Sequence, residues 1–138
     1  MDVNLRAPFV MINMFKDLLI RSNGCVVNLS CDKGSRPDPN TLGYCMVKAG
    51  LDMMTKSTAV ELAHFGVRVN SVAPAYIDTN FYRSAGLSEG EIKKLTVTVG
   101  NNTPLNRGVG NNARVAQKEE VAKAIIFLTS EEALKITG

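Results

Sequence analysis

The sequence has neither a strong excess of one charge nor many aromatic side chains. Its 138 residues include 16 Lys and Arg against 13 Asp and Glu, a formal charge of +3, and only 6% are aromatic. The basic residues are scattered, and Lys93 with Lys94 is the closest approach to a cluster. Because a nucleic-acid surface needs a basic stripe with aromatic residues interleaved, the composition argues against nucleic acid as a partner.

Long apolar runs and paired cysteines are missing as well. No stretch approaches the ~20 apolar residues of a membrane span, and the N-terminus lacks the basic start and apolar core of a secretory signal. Cys25, Cys31 and Cys45 show no disulfide-like or metal-ligand spacing. We therefore expect a cytoplasmic protein without a membrane span, with an organelle as the alternative if residues precede Met1 in the complete protein.

The sequence does contain the alternation of helices and strands that is typical of an α/β domain. An apolar fraction of 45% with 21% charged residues suits one soluble domain over 1–138. Periodicity and turn residues predict helix 3–20, strand 25–29, helix 41–65, strand 67–73, a short helix from Ser88, a loop over 100–114 and helix 118–129. This order predicts a parallel sheet with helices on its faces. Two strands are too few to cover these helices, so we expect a fold that is cut at both ends and needs another strand after Gly138.

Tyr44 and Lys48, at the start of the longest predicted helix, are the most informative pair. At positions i and i+4 their side chains lie on one helix face, within reach of each other. An ammonium beside a phenol favours the phenolate and lowers the tyrosine pKa from its usual value of about 10. Such a tyrosine exchanges a proton near neutral pH, as carbonyl reduction requires. The alternative reading is an ordinary pair on a surface helix.

The predicted position of this pair in the sheet favours the chemical reading. Ligands of parallel sheets bind at the carboxyl ends of the strands. Asn28, Ser30 and Cys31 lie at the end of the first strand and are expected to face the same crevice as Tyr44, although Ser30 itself should point away if the strand geometry persists. The turn over 74–79, after the second strand, is expected to border the crevice.

With these motifs in order, the sequence resembles the short-chain dehydrogenase/reductase family, and most of all its 3-oxoacyl-[acyl-carrier-protein] reductase-like oxidoreductases. The matching motifs are GCVVNLSCDKG at 24–34 for N-x-S-S-x-x-G, Tyr44-x-x-x-Lys48, GVRVNSVAP at 66–74 for G-x-R-V-N-x-V-x-P, and Ile77-x-Thr79. The resemblance covers nearly the whole chain. It implies the C-terminal part of a Rossmann-like doubly wound parallel sheet, with the first βαβ half and the last strand absent.

The resemblance also implies roles for individual residues. Tyr44 would be the general acid and base, Lys48 would lower its pKa and bind the nicotinamide ribose, and Asn4 would hold a water that relays protons toward Lys48. The implied cofactor is NAD or NADP, with NADP slightly favoured. Its implied contacts are Asn28, Tyr44, Lys48, Pro74, Ile77 and Thr79, of which Asn28 supports the site from its strand.

Two features depart from the family pattern. Cys31 stands where the family has the serine that orients the substrate, three residues before Gly34 and thirteen before Tyr44. A thiol is a weaker donor than a hydroxyl, so we expect impaired catalysis unless Ser30 or a water substitutes. The glycine-rich turn that holds the pyrophosphate belongs upstream of Asn4, and the look-alike GVGNNA at 108–113 neither follows a strand directly nor opens a βαβ unit.

Two functions therefore remain open. The first is an oxidoreductase that acts on a small carbonyl or alcohol substrate, of which this chain is a part. The second is a catalytically inactive remnant that serves as a structural or interaction subunit. Under both, the resemblance implies a homo-oligomer that pairs through helices 3–20 and 41–65. The substrate, and the choice between NAD and NADP, are not encoded in recognisable residues.

Overall fold

The computed structural model describes residues 1–106 and 115–138. A π-helical turn, Asp2–Arg6, is followed by α1 (Ala7–Arg21), β1 (Cys25–Leu29), α2 (Leu42–Leu62), β2 (Arg68–Val72), α3 (Phe81–Ser84), α4 (Glu89–Asn102) and α5 (Lys118–Thr129). Single 3₁₀ turns lie at Asp32–Gly34, Ala63–Phe65, Pro104–Asn106 and Glu131–Ala133. The chain divides into two compact units, the first formed by Met1–Pro74 with Lys123–Gly138 and the second by Ala75–Ala122.

A two-stranded parallel sheet forms the centre of the first unit. β1 pairs with β2 in a register that sets Cys25 opposite Arg68 and Leu29 opposite Val72. Val69 is fully buried in β2, and it forms a core with Val67 and with Ala59 and Leu62 of α2. Leu19, Ile20 and Val26 pack against this core. The predicted parallel sheet with packed helices is therefore confirmed, because β-branched side chains fill the space that α1 and α2 cover.

The two helices of the first unit end at residues that tolerate left-handed backbone. Asn23, just past α1, has a φ of 47°, and the Gly24 amide donates to the Leu19 carbonyl at 2.8 Å. Gly66 ends the 3₁₀ turn after α2 with a φ of 74°, where a Cβ would also come within 2.9 Å of the Asn23 amide oxygen. Both ends therefore allow a short return into the sheet.

The C-terminal residues lie along the edge of β2 that does not pair with β1. The Gly138 amide donates to the Val69 carbonyl at 2.9 Å, and the Val69 amide donates to the Thr137 hydroxyl at 3.0 Å. The Asn70 side chain donates to the Ile136 carbonyl at 2.9 Å, and the Arg68 guanidinium donates to the Leu128 carbonyl at 2.6 Å. The backbone and side chains of β2 therefore bind the end of α5 and the segment that follows it.

The second unit is helical. Tyr76 is 8% exposed, its hydroxyl lies 2.8 Å from that of Thr96, and its ring stacks on Tyr82 at 4.9 Å. The capping box predicted at Ser88 is confirmed, since its hydroxyl accepts from the Glu91 amide while the Glu91 carboxylate accepts from the Ser88 amide.

Several predicted boundaries were wrong. The helix from Ser88 is not short, because it continues to Asn102 and so takes in the start of the loop predicted over 100–114. The glycines of the look-alike over 108–113 lie outside the described residues. The helix predicted over 3–20 begins with a π-helical turn and ends at Arg21, and the one predicted over 41–65 ends at Leu62 before a 3₁₀ turn. The short helix α3 carries no periodic apolar pattern and was not predicted. β1 and α5 have the predicted bounds. β2, which was predicted over 67–73, is one residue shorter at each end.

Candidate active site

Tyr44 and Lys48 lie on the first turns of α2, next to the carboxyl end of β1. The Lys48 side chain is buried, with 5% exposure, and its Nζ donates to the carbonyl of Leu29, the last residue of β1, at 2.9 Å. The same Nζ lies 5.7 Å from the centre of the half-buried Tyr44 ring. The i, i+4 spacing thus does bring the two side chains together, with the ammonium anchored on the strand.

The buried position of Lys48 changes its acid–base behaviour. Burial lowers the pKa of Lys48 below its ordinary value of 10.5, because the charged form loses water. The charges of Cys31 and Asp52 act in the opposite direction and raise it. Asp52 lies one turn beyond Lys48 on α2, so the ammonium has a carboxylate on the same helix face. Lys48 is therefore desolvated, and in its charged form it acts on the neighbouring phenol with less screening than it would have in water.

Cys31 is the residue that contacts Tyr44 from the loop after β1. Its thiol donates to Asp32 Oδ1 at 3.3 Å, and its sulfur accepts hydrogen bonds from the Lys33 amide and from Tyr44. Burial raises the pKa of the Cys31 thiol above its ordinary value of 9.0; the Asp32 contact raises it too, while the bonds from Lys33 and Tyr44 lower it. At neutral pH the group is a neutral thiol rather than a reactive thiolate.

Asn28 and Ser30, which flank the exposed Leu29, are both buried. The Asn28 amide donates to the hydroxyl of Thr55 in α2 at 2.9 Å, and that hydroxyl donates to the Leu51 carbonyl at 2.8 Å. Within the described residues the Ser30 hydroxyl has no partner, while its amide donates to the Val72 carbonyl at 2.8 Å. Asn28 thus ties β1 to α2, and a direct contact of Asn28 with a cofactor stays a prediction.

Asn4 is exposed and lies in the π-helical turn Asp2–Arg6. The Arg6 amide donates to the Met1 carbonyl five residues back, at 3.3 Å. Single π-helical turns occur often at functional sites. A wider turn places Asn4 differently from the regular helix that was predicted, and its water-relay role stays a prediction.

The remaining predicted residues divide between the two units. Pro74 ends the first unit, and its carbonyl accepts from the Asp32 amide at 3.1 Å, which ties the loop after β1 to the segment after β2. Ile77 and Thr79 belong to the second unit. Ile77 forms a parallel bridge with Ala116, and the Thr79 hydroxyl accepts from the Phe81 amide at 3.3 Å.

Three polar residues of the first unit were missed from the sequence. Asp52 was recognisable, because it follows Lys48 at the same i+4 spacing that identified Tyr44. Asp32 contacts the Cys31 thiol, and Thr55 binds Asn28; neither contact has a signal in the spacing of the sequence. Among the described residues there is no group of His, Cys, Asp and Glu that could hold a metal ion, and no helix long and apolar enough to cross a membrane.

Together, the parallel sheet and the anchored Tyr–Lys pair beyond its first strand define an α/β protein of the Rossmann-like kind. A family model described as enoyl-(acyl carrier protein) reductase matches residues 1–138. Among curated proteins the chain is 36% identical to a galactitol 2-dehydrogenase of Rhizobium johnstonii, over 100% of this chain and 51% of that protein. It is also 36% identical to a 3-oxoacyl-[acyl-carrier-protein] reductase of Thermotoga maritima, over 99% of this chain and 51% of the other. The chain belongs to the short-chain dehydrogenase/reductase family.

Solved structures agree with this assignment. A short-chain dehydrogenase/reductase of unknown function from Caenorhabditis elegans, crystallised with cofactor, matches with a TM-score of 0.85 and 31% identity, over 98% of this chain and 49% of that one. A 3-oxoacyl-[acyl-carrier protein] reductase with bound NAD from Brucella melitensis matches with a TM-score of 0.77 and 30% identity, over 99% and 45%. The predicted fold class is therefore confirmed, and the chain spans about half the length of the curated relatives it matches.

Proposed function

We propose that this chain is the catalytic part of an NAD(P)-dependent oxidoreductase that reduces a ketone or oxidises a secondary alcohol. One observation carries the proposal: the Lys48 ammonium is buried, anchored on the Leu29 carbonyl at 2.9 Å and 5.7 Å from the Tyr44 ring. Burying a cation costs stability, so a lysine that is buried beside a phenol is better explained by a role in function than by a role in stability. The names of the relatives, a polyol dehydrogenase and an oxoacyl reductase, support the same reaction class.

The proposed roles follow from the contacts of each side chain. In reduction, Tyr44 Oη gives its proton to the substrate oxygen, and in oxidation it takes that proton back. Lys48 stabilises the phenolate by its charge, and Asn28 keeps β1 and α2 in register through Thr55. A neutral Cys31 thiol is a weak donor to the substrate oxygen, so we expect slow turnover.

The residues present fit the nicotinamide-ribose end of NAD or NADP. One of the three N–H groups of Lys48 binds the Leu29 carbonyl, and the others are suited to ribose hydroxyls. When bound, the nicotinamide donates or accepts the hydride. We further propose that residues outside this chain hold the pyrophosphate and that Pro74, Ile77 and Thr79 lie near the nicotinamide.

We also propose that the protein is cytosolic, because its three free cysteines suit a reducing compartment.

A second candidate function is a non-catalytic interaction subunit. Its support is the set of apolar side chains that α1 and α2 expose: Phe9, Met11, Met14, Phe15 and Leu18 on the first, and Met46, Met53 and Val60 on the second. Exposed apolar patches of this kind mark protein–protein interfaces. We propose that these helices pair with a second copy of the chain, and this pairing serves either function.

The test is a fluorescence titration of NADH and NADPH into the purified chain, with its oligomeric mass recorded in the same buffer. Saturable binding, weakened in Lys48→Met and unchanged in Lys56→Met, is expected of the oxidoreductase. Lys56 is the matched control because it is exposed on the same helix. Turnover with galactitol or a 3-oxoacyl thioester should fall about 10²–10⁴-fold in Tyr44→Phe, the usual worth of a general acid.

Each other outcome selects against catalysis by this chain alone. A folded, oligomeric chain that binds neither nucleotide leaves the interaction subunit. Turnover that survives Tyr44→Phe excludes Tyr44 as the acid.

A further inference from the structure

A chain of hydrogen bonds runs from Tyr44 through Cys31 to Asp32. The sulfur accepts from Tyr44, and the thiol proton points to Asp32 Oδ1, 3.3 Å away. A thiol has one proton, so a thiol that donates to Asp32 does not donate to a substrate oxygen at the same time.

Asp32 is fixed in this position by its surroundings. Its amide donates to the Pro74 carbonyl at 3.1 Å, and its Oδ2 lies 3.5 Å from Lys33 Nζ. That Nζ also pairs with Asp38 at 2.6 Å, and the Asp32 side chain is 19% exposed. The carboxylate is therefore a preorganised acceptor rather than a mobile surface group.

We propose that Asp32 is a positioning residue that accepts the S–H hydrogen bond of Cys31 and so directs the thiol proton away from the substrate oxygen. Its consequence is that the side chain at position 31 is masked, whether it is a thiol or a hydroxyl. A serine placed there would donate to Asp32 as well, because a carboxylate is a stronger acceptor than a carbonyl.

The first experiment needs neither substrate nor cofactor. The infrared S–H stretching band of Cys31 is recorded in the Cys25→Ser/Cys45→Ser chain, where it is the one thiol. Asp32→Ala should move the band to higher frequency, as the bond to the carboxylate is lost, and Asp32→Asn should move it less. Asp38→Ala is the matched control: it removes the closer partner of Lys33 without touching the thiol, and should leave the band in place.

A band that stays in place in both Asp32 variants overturns the proposal, and so does an equal shift in Asp38→Ala, which would report a loosened loop. Circular dichroism confirms folding of each variant, and alanine replaces serine at 25 and 45 if the serine background is unfolded.

The second experiment rests on the proposed function. kcat/KM is compared among the wild type, Cys31→Ser, Asp32→Ala and the double variant. The change in kcat/KM of the double variant, relative to the wild type, should exceed the product of the two single-variant changes about tenfold. That factor lies within the coupling expected of residues in one hydrogen-bond network. Additive effects contradict the masking of position 31. Turnover that survives Tyr44→Phe contradicts the proposed function instead, and the infrared result is independent of it.

Discussion

Lys48→Met removes a charge that the fold buries at a cost. Losing the ammonium leaves the Leu29 carbonyl without its 2.9 Å donor, and because this bond is only partly buried the cost stays below the ~1–3 kcal/mol of a fully buried acceptor. Against this, the variant no longer desolvates a cation, a penalty of several kcal/mol in proteins. The methionine stem fills much of the same space. We therefore expect the free energy of unfolding to fall by less than about 1 kcal/mol or to rise.

The pH dependence gives the sign of the charge effect. The folded-state pKa of Lys48 is below 10.5, so between that folded value and 10.5 the unfolded chain binds more protons than the folded one. Stability of the wild type relative to Lys48→Met should therefore rise with pH through that window, and stay at its lower level below it. Because the charge of Cys31 also acts on Lys48, the comparison is made in a Cys31→Ser background.

The assay is urea unfolding followed by far-ultraviolet circular dichroism, since the chain has no tryptophan. Protein concentration is held constant, because association would shift the transition. Leu51→Ala, in the core with 2% exposure, shows that the assay resolves a loss of about 2–5 kcal/mol. A loss of more than about 3 kcal/mol in Lys48→Met would refute the reasoning, since that is the cost of breaking a buried pair that stabilises the fold.

Three further predictions test the supports of the site and of the second unit. Thr55→Val keeps the shape of a fully buried side chain but leaves the Asn28 amide unpaired, so the free energy of unfolding should fall by about 1–3 kcal/mol. The control is Thr98→Val on an exposed face, which should change the free energy of unfolding by less than about 0.5 kcal/mol. Equal changes in the two variants would contradict the prediction. Ser88→Ala removes the capping box of α4 and should speed amide hydrogen exchange in the first turn of that helix about fivefold, as expected for a cap that contributes about 1 kcal/mol. Unchanged exchange would show that the cap does not stabilise the helix. Iodoacetamide should alkylate Cys31, as the one remaining cysteine, with a midpoint above pH 9.0 in the folded chain, and a midpoint below that value would mean that burial does not govern the thiol.

The parts of this molecule that were predictable from sequence are those with local causes. β1 is a run of apolar residues between two turns, and α5 has a clean helical period, so both have their predicted bounds. Tyr44 and Lys48 were found because helix geometry alone brings residues four apart together. Position 31 was identified by counting from Gly34 and Tyr44.

Other features depend on contacts between distant segments, which sequence spacing does not encode. The sequence expectation that Asn28 faces the crevice did not foresee its bond to Thr55, a residue 27 positions away. The hydrogen bond from the Cys31 thiol to Asp32 depends on the position of Asp32, which is fixed by the backbone hydrogen bond from its amide to the Pro74 carbonyl. The π-helical turn at Asn4 depends on hydrogen-bond geometry that a helical period cannot distinguish from an α-helix.

The described bonds that anchor Lys48 and the loop of Cys31 are made within the first unit. Lys48 is anchored on β1, α2 is fixed to β1 through Asn28 and Thr55, and the loop of Cys31 is fixed at Pro74. The residues that make these bonds all belong to the first unit, so Lys48 and the loop of Cys31 are preorganised by the part of the chain that carries them. If the purified chain folds but does not turn over, the nucleotide titration therefore separates failed cofactor binding from a site that binds the cofactor but is inactive.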